Sequence, residues 1–304
     1  MKLLITGASG LLGINLAMEA IREHEVIGVD RGKLKSAPFQ ILKADLLHRN
    51  AVDSVLDSAQ PDAVINCAAL ANLEECEEYP DRARILNADI PGELATACAG
   101  RNIHFIHLST DAVFDGTKEG FYTEEDEPNP QGIYAQTKLD GERAVQNANS
   151  QAIIARVNFY GWSLTNRRSL GEFFVNNLSE EKYVSGFTDV IFCPMLVNHT
   201  ARLLLAMLEK NLSGLYHVVG EQAMSKYQFG VEVARKFGLK QSHISPKSVE
   251  GSDLTVRRSH NLWLSIHKLS TDLGSQIPEF STGLEEFYTQ YQQGYPQKIR
   301  GYQQ

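Results

Sequence analysis

Tyr134 and Lys138 stand four residues apart in the stretch GIYAQTKLDGE. A phenol beside an ammonium can move protons. On a helix, residues i and i+4 share a face, so the two side chains would be neighbours. A free tyrosine titrates near ~10, too high for ready proton exchange at neutral pH. An ammonium close by favours the phenolate and brings it into working range. The spacing alone leaves two readings open: a catalytic acid with its electrostatic helper, or two ordinary helix side chains. What surrounds the pair has to decide.

A second constellation opens the chain. TGASGLLG (6–13) follows an apolar run and begins a helical pattern. In that context Gly7 permits a tight turn, Gly10 lets the backbone approach a phosphate, and Gly13 lets helix and sheet pack closely. The helix amino terminus then offers unpaired N–H groups to a pyrophosphate. Ser9, Leu11 and Leu12 complete the expected cofactor turn. Asp30 ends the second apolar run, where a carboxylate can accept from the adenosine ribose and favour NAD. Arg31 follows at once, with Lys33 and Lys35 nearby, and an arginine there can hold the extra phosphate of NADP. NADH and NADPH both remain open. Asp45, with Leu46 beside it, follows ILKADL and either lies near the adenine or caps the next helix.

The elements that must position these residues alternate. Short apolar runs at 2–6, 25–30, 62–68, 103–109 and 152–158 read as buried strands, and helical patterns at 11–24, 49–60, 81–101 and 134–148 lie between them. The expected fold is α/β: a Rossmann-type, doubly wound parallel sheet with a smaller C-terminal substrate-binding lobe. Pro91 should kink or break the helix that contains it. Beyond residue 160, helical patterns at 169–179, 194–210 and 225–237 flank a strand-like LYHVV, and Pro194 is expected in a first helical turn. The dinucleotide-binding domain is expected over 1–160, with about 194–219 returning to it. The substrate lobe takes about 161–193 and 220–304.

The chain has 304 residues, with 29 Lys and Arg against 37 Asp and Glu and a formal net charge of −8. Such a balance, without a dense basic cluster, argues against nucleic acid or an anionic membrane as partner. Cys67, Cys76, Cys98 and Cys193 show no CxxC spacing and read as reduced thiols. The nine histidines have no metal-ligand spacing, so no metal is expected. Glycines interrupt the first apolar run, which argues against a signal peptide. A cytoplasmic protein is expected.

Several stretches together carry a resemblance: the glycine turn, NCAALANLEECEEYP (66–80), STDAVFDG (109–116), EPNPQGIYAQTKLDGE (127–142), and more loosely RVNFYG (156–161) and RSHNLWLSIHKL (258–269). Over almost its whole length the chain resembles the extended short-chain dehydrogenase/reductases, and among them the dTDP-4-dehydrorhamnose reductase group. The resemblance implies an NAD(P)H-dependent reduction of a keto group on a nucleotide sugar, and a possible homodimer. It makes Tyr134 the proton donor, gives Lys138 a hydrogen bond to the nicotinamide ribose, and sets Thr110 to polarise the substrate carbonyl. Ala68 and Ala69 would let the cofactor lie close. Asn158, Arg258 and Lys268 would meet the substrate, the last two its diphosphate. Asn87 is a further candidate, for a water relay. Two departures stand out. Ala112 replaces the reductases' tyrosine and the dehydratases' glutamate, and Ser259 replaces a proline. An alanine carries no proton, so reduction is favoured over elimination. An NAD-retaining epimerase and a non-catalytic, dinucleotide-binding regulatory protein, as in the regulatory subunit of methionine adenosyltransferase, are the alternatives.

Overall fold

Alternate residues of the first strand leave on opposite faces. Leu3 and Ile5 join Leu16, Ala17, Leu204 and Met207 in one core, and Leu4 joins Leu56, Leu94 and Val145 in another. A strand buried on both sides belongs to a sheet covered twice. In the computed structural model, which describes residues 1–250 and 259–303, that sheet has seven parallel strands. They are β1 (Lys2–Thr6), β2 (Glu25–Asp30), β3 (Gln40–Lys43), β4 (Ala63–Asn66), β5 (His104–Thr110), β6 (Ile153–Val157) and β7 (Gly214–Val218). Their order is β7-β6-β5-β4-β1-β2-β3. The winding reverses between β1 and β4, and ligands of open α/β sheets bind at the carboxyl ends of strands flanking such a switch.

The expected strands and helices appear. Pro91 breaks its helix through a specific device. Pro80–Arg84 and Ile90–Gly100 are α-helical, and between them Ile85–Asp89 widens into a π-turn. Pro91 has no N–H to give the Asn87 carbonyl four residues back. That carbonyl instead lies against Gly141 of the helix Ile133–Ala148, where an added Cβ would come within 2.1 Å of it. Gly141→Ala should therefore force these helices apart and lower stability by about 1–3 kcal/mol, read as a drop in urea midpoint.

Pro194 does not start a helix. It precedes the two-residue strand Met195–Leu196, and the helix begins at Val197. The Pro194 carbonyl lies where a Cβ on Gly220 would meet it at 2.4 Å, so tertiary packing holds this segment extended.

After β6 an aromatic core of Tyr160, Trp162, Phe174, Phe229 and Phe287 takes over, with Trp162 stacked on Phe287 at 4.1 Å. Ser169 and Ser225 form capping boxes with Glu172 and Gln228 and so start the helices Leu170–Ser179 and Lys226–Lys236. The last helix, Tyr295–Gly301, comes back to the first helix and the loop after β2. The Tyr295 hydroxyl donates to Asn15 Oδ1 at 2.9 Å, and the Tyr302 carbonyl accepts from the Lys35 amide at 2.7 Å. Among the described residues no helix is long and apolar enough to cross a membrane.

Candidate active site

The turn after β1 is built for close approach. Gly7 has a φ of +63°, and a Cβ there would sit 2.8 Å from Cys67 O and Ala68 N, in the loop after β4. A Cβ on Gly13 would meet Gly7 O at 2.2 Å, so its missing side chain closes the helix onto the turn itself. A Cβ on Gly10 would meet one atom, Gly7 O at 3.0 Å. The space over the amino terminus of the helix Leu11–Ala20 is thus open, and its first amides are free to hold a phosphate. Leu11 and Leu12 bury their side chains in the core, leaving their backbone for such a contact. Ala68 is half-buried and Ala69 exposed on the facing loop, and the Ala68 amide donates to Thr6 Oγ1 at 3.2 Å. These residues fit a dinucleotide.

Asp30 ends β2 beside this turn. Its Oδ2 accepts from the amides of Gly32 (2.7 Å), Lys33 and Leu34 (3.2 Å). Burial pushes the carboxyl up, but the Ser9 hydroxyl and these amides outweigh it and hold it below the usual carboxylate value. Ser9 thus contacts Asp30 directly. Arg31 is exposed and forms no ion pair with a described residue. Asp45 does not cap the next helix. Its Oδ1 accepts from Leu47 N at 3.1 Å, and the helix Ala51–Ala59 starts at Asn50 without a side-chain cap. Leu46 is in the core.

Thr110 ends β5 and Tyr134 and Lys138 lie on the helix above it. The Thr110 hydroxyl donates to Asp111 Oδ1 at 3.0 Å, accepts from Ala112 N at 3.2 Å, and adjoins the Tyr134 phenol. Tyr134 is half-buried. Burial pushes its phenol up to about 12, against the pull of Thr110 and with a further push from the Asp111 carboxylate. The expected downward pull of Lys138 is not what governs the phenol. The Lys138 amino group turns under the helix, donates to Leu108 O at 2.5 Å and faces His107 Nε2 at 3.5 Å. Burial lowers it to about 8, against the attraction of Glu142 and Cys67.

Three supporting groups escaped the reading of the chain. Asp111 is 4 % exposed and takes hydrogen bonds from Thr110 and Asn158. Burial nevertheless leaves its carboxyl above the usual range. The signal was its place in STDAVF. His107 and the pair Glu142–Arg156 are polar groups in segments that read as apolar or merely amphipathic. Arg156 Nε and Nη2 meet Glu142 at 2.9 and 2.7 Å, and Ser109 Oγ donates to the same carboxylate at 2.5 Å.

Of the substrate candidates, Asn158 is at the site, its amide committed to Asp111. Lys268 is not brought there. Its ammonium donates to Leu215 O at 2.8 Å over the Tyr216 ring, three residues before Val218, which is level with Thr110 through Val157. That is roughly 10 Å along the strand. Arg258 lies outside the described residues. Asn87, buried and fully bonded, clasps the loop after β4: it accepts from Leu70 N at 2.9 Å and donates to Leu70 O and Thr137 Oγ1. The Ser259 hydroxyl donates to Phe114 O at 2.9 Å, a tie that proline cannot make. A groove of about 760 Å³ elsewhere, lined by Met224, Glu232, Arg235 and Phe280 among others, includes none of the residues at the end of β5.

A parallel sheet with a glycine turn at its switch point, and a tyrosine and lysine on the helix over β5, places the fold among the extended short-chain dehydrogenase/reductases. More narrowly, the chain belongs to the RmlD substrate binding domain family, which matches residues 1–293. It is 33% identical over 285 residues to a Haloferax volcanii protein named probable low-salt glycan biosynthesis reductase (92% of this chain, 95% of the relative). It is 32% identical to methionine adenosyltransferase 2 subunit beta of Pongo abelii (93% and 86%). The dTDP-4-dehydrorhamnose reductase of Bacillus anthracis, solved with NADP, superposes with a TM-score of 0.86 at 25% identity, covering 95% of this chain and 99% of that one.

Proposed function

We propose that the protein is an NAD(P)H-dependent reductase of a keto group on a nucleotide-activated sugar, of the dTDP-4-dehydrorhamnose reductase type and cytoplasmic. The observation that carries this reading is the Thr110 hydroxyl against the Tyr134 phenol, with Lys138 one turn further along the same helix and an uncapped helix amino terminus after the glycine turn. The bound nicotinamide cofactor supplies the hydride. Tyr134, kept protonated by burial, donates its proton to the carbonyl oxygen. Thr110, whose hydroxyl is given to Asp111 in the free protein, turns it to the substrate carbonyl instead, and Asn158 keeps Asp111 in place. Lys138 would hold the cofactor ribose. In this reading the lobe of about 161–193 and 220–304 is the substrate-binding part of the chain. Ala112, in the turn Asp111–Val113, has no acid to offer an elimination, so the product is the alcohol.

The test is a titration of purified protein with NADH and NADPH, followed by a panel of keto-sugar nucleotides and the loss of reduced-nicotinamide absorbance. Oxidation of bound cofactor by one panel member is expected. The subunit-like relative favours a second reading, a dinucleotide-binding regulatory protein. Binding without turnover, together with a stable partner enzyme in a pull-down, would replace the first reading by the second.

Arg31 should discriminate between cofactors. Because it is exposed with no ion pair to a described residue, and Asp30 Oδ2 is occupied by backbone amides, Arg31→Ser should weaken NADPH about tenfold, roughly 1.4 kcal/mol, and NADH by less than about twofold. Fluorescence titration of both cofactors reads the ratio.

A further inference from the structure

His107, fully buried on β5, has no part in the chemistry above, yet its ring lies directly under Lys138. A chain of hydrogen bonds decides its tautomer. The Ala68 amide donates to Thr6 Oγ1, so that oxygen is an acceptor, and its own proton goes to Asn66 Oδ1 at 2.6 Å. A separation of 2.6 Å suits O–H···O and is short for N–H···O, which orients the Asn66 amide with its oxygen toward Thr6. Asn66 Nδ2 then faces His107 Nδ1 at 3.1 Å. Nδ1 must accept, so the ring carries its single proton on Nε2. Nε2 faces Lys138 Nζ at 3.5 Å.

Two donors would oppose each other there if Lys138 were an ammonium. An amine removes the conflict: its lone pair accepts from His107 Nε2–H, while one of its N–H bonds still serves Leu108 O. We propose that His107 is a positioning residue for Lys138, a fixed hydrogen-bond donor that favours the neutral amine and makes Lys138 a proton-exchanging group. The consequence for turnover rests on the reductase reading above; the tautomer and the titration do not.

Other charges around Lys138 pull the opposite way or are already engaged. From its own helix, Tyr134 is a neutral phenol, and Glu142 favours the ammonium but is paired with Arg156 of β6. From the loop after β4, Cys67 is a thiol pushed up to about 12. His107 is itself held well below its ordinary value by burial and by the neighbouring lysine, so the ring stays neutral as Lys138 titrates.

The experiment uses the full chain without cofactor, labelled with carbon-13 at lysine Cε and nitrogen-15 in histidine. Long-range proton–nitrogen correlation should show the His107 proton on Nε2; a proton on Nδ1 would overturn the proposal. The Lys138 Cε signal, assigned by its loss in Lys138→Arg, should titrate with a midpoint of about 8. In His107→Gln a carbonyl can replace the donor, and the midpoint should rise by more than about one pH unit. An unmoved midpoint in a variant that melts cooperatively would show a purely structural histidine. If that variant does not fold, a wild-type midpoint near the ordinary lysine value of ~10.4 sinks the proposal by itself. A normal titration shift with no reducible sugar would separate failure of the reductase reading from failure of this one.

Discussion

Tyr134→Phe should lower kcat by about 10²- to 10⁴-fold, the usual worth of a positioned general acid, while reduced cofactor binds within about twofold of the wild-type affinity. The hydroxyl is the only atom removed, and the ring continues to pack. The pH dependence has a definite sign. Burial holds the phenol at about 12, so the donating form is fully present at neutral pH and Tyr134 imposes no loss of reduction on the acid side. Its contribution falls only as pH rises toward that value. In the oxidative direction the phenolate is the active form and the dependence inverts. Stopped-flow measurement of single-turnover reduction and oxidation from pH 6 to 10 checks both. A variant with wild-type kcat would remove Tyr134 from the chemistry and with it the reductase reading.

The second large effect concerns stability. Glu142 and Arg156 are 5 % and 2 % exposed and share two hydrogen bonds. The guanidinium also lies 4.9 Å from the centre of the Phe114 ring, and its Nη1 has no partner among the described residues. Breaking a buried pair by removing one member leaves an uncompensated charge, whereas removing both can be neutral. Glu142→Leu should therefore cost about 3–5 kcal/mol in urea unfolding, and adding Arg156→Met should recover most of it. Equal losses in the single and double variants would show that packing rather than charge dominates. Because Ser109 also donates to Glu142 and immediately precedes Thr110, the double variant tests in addition whether this pair aligns the end of β5 for catalysis.

Much of this protein is written in short-range patterns. Apolar runs of strand length, separated by amphipathic helices, dictate a parallel sheet because each run must be covered on both faces. Gly7 requires a positive φ, and Gly13 has no room for a side chain; both demands act within a few residues, so the phosphate turn is legible. Pro91 announces its break for the same local reason, the missing N–H. The Tyr134–Lys138 spacing likewise places both groups on one helix.

Tertiary structure decided what those groups face. Lys138 turns toward Leu108 and His107, because β5 lies beneath that helix; the phenol is governed by its own burial. Lys268 is drawn to a carbonyl and ring of β7, and Asn87 is spent on a clasp between a loop and two helices. Pro194 stays extended because Gly220 packs on its carbonyl. None of these outcomes follows from periodicity, since each depends on a neighbour tens of residues away brought close by strand order. The sequence alone determined most of the elements and the inventory of reactive groups. The fold determined which of them share a site, because hydrogen bonds and burial are set by contacts between distant segments.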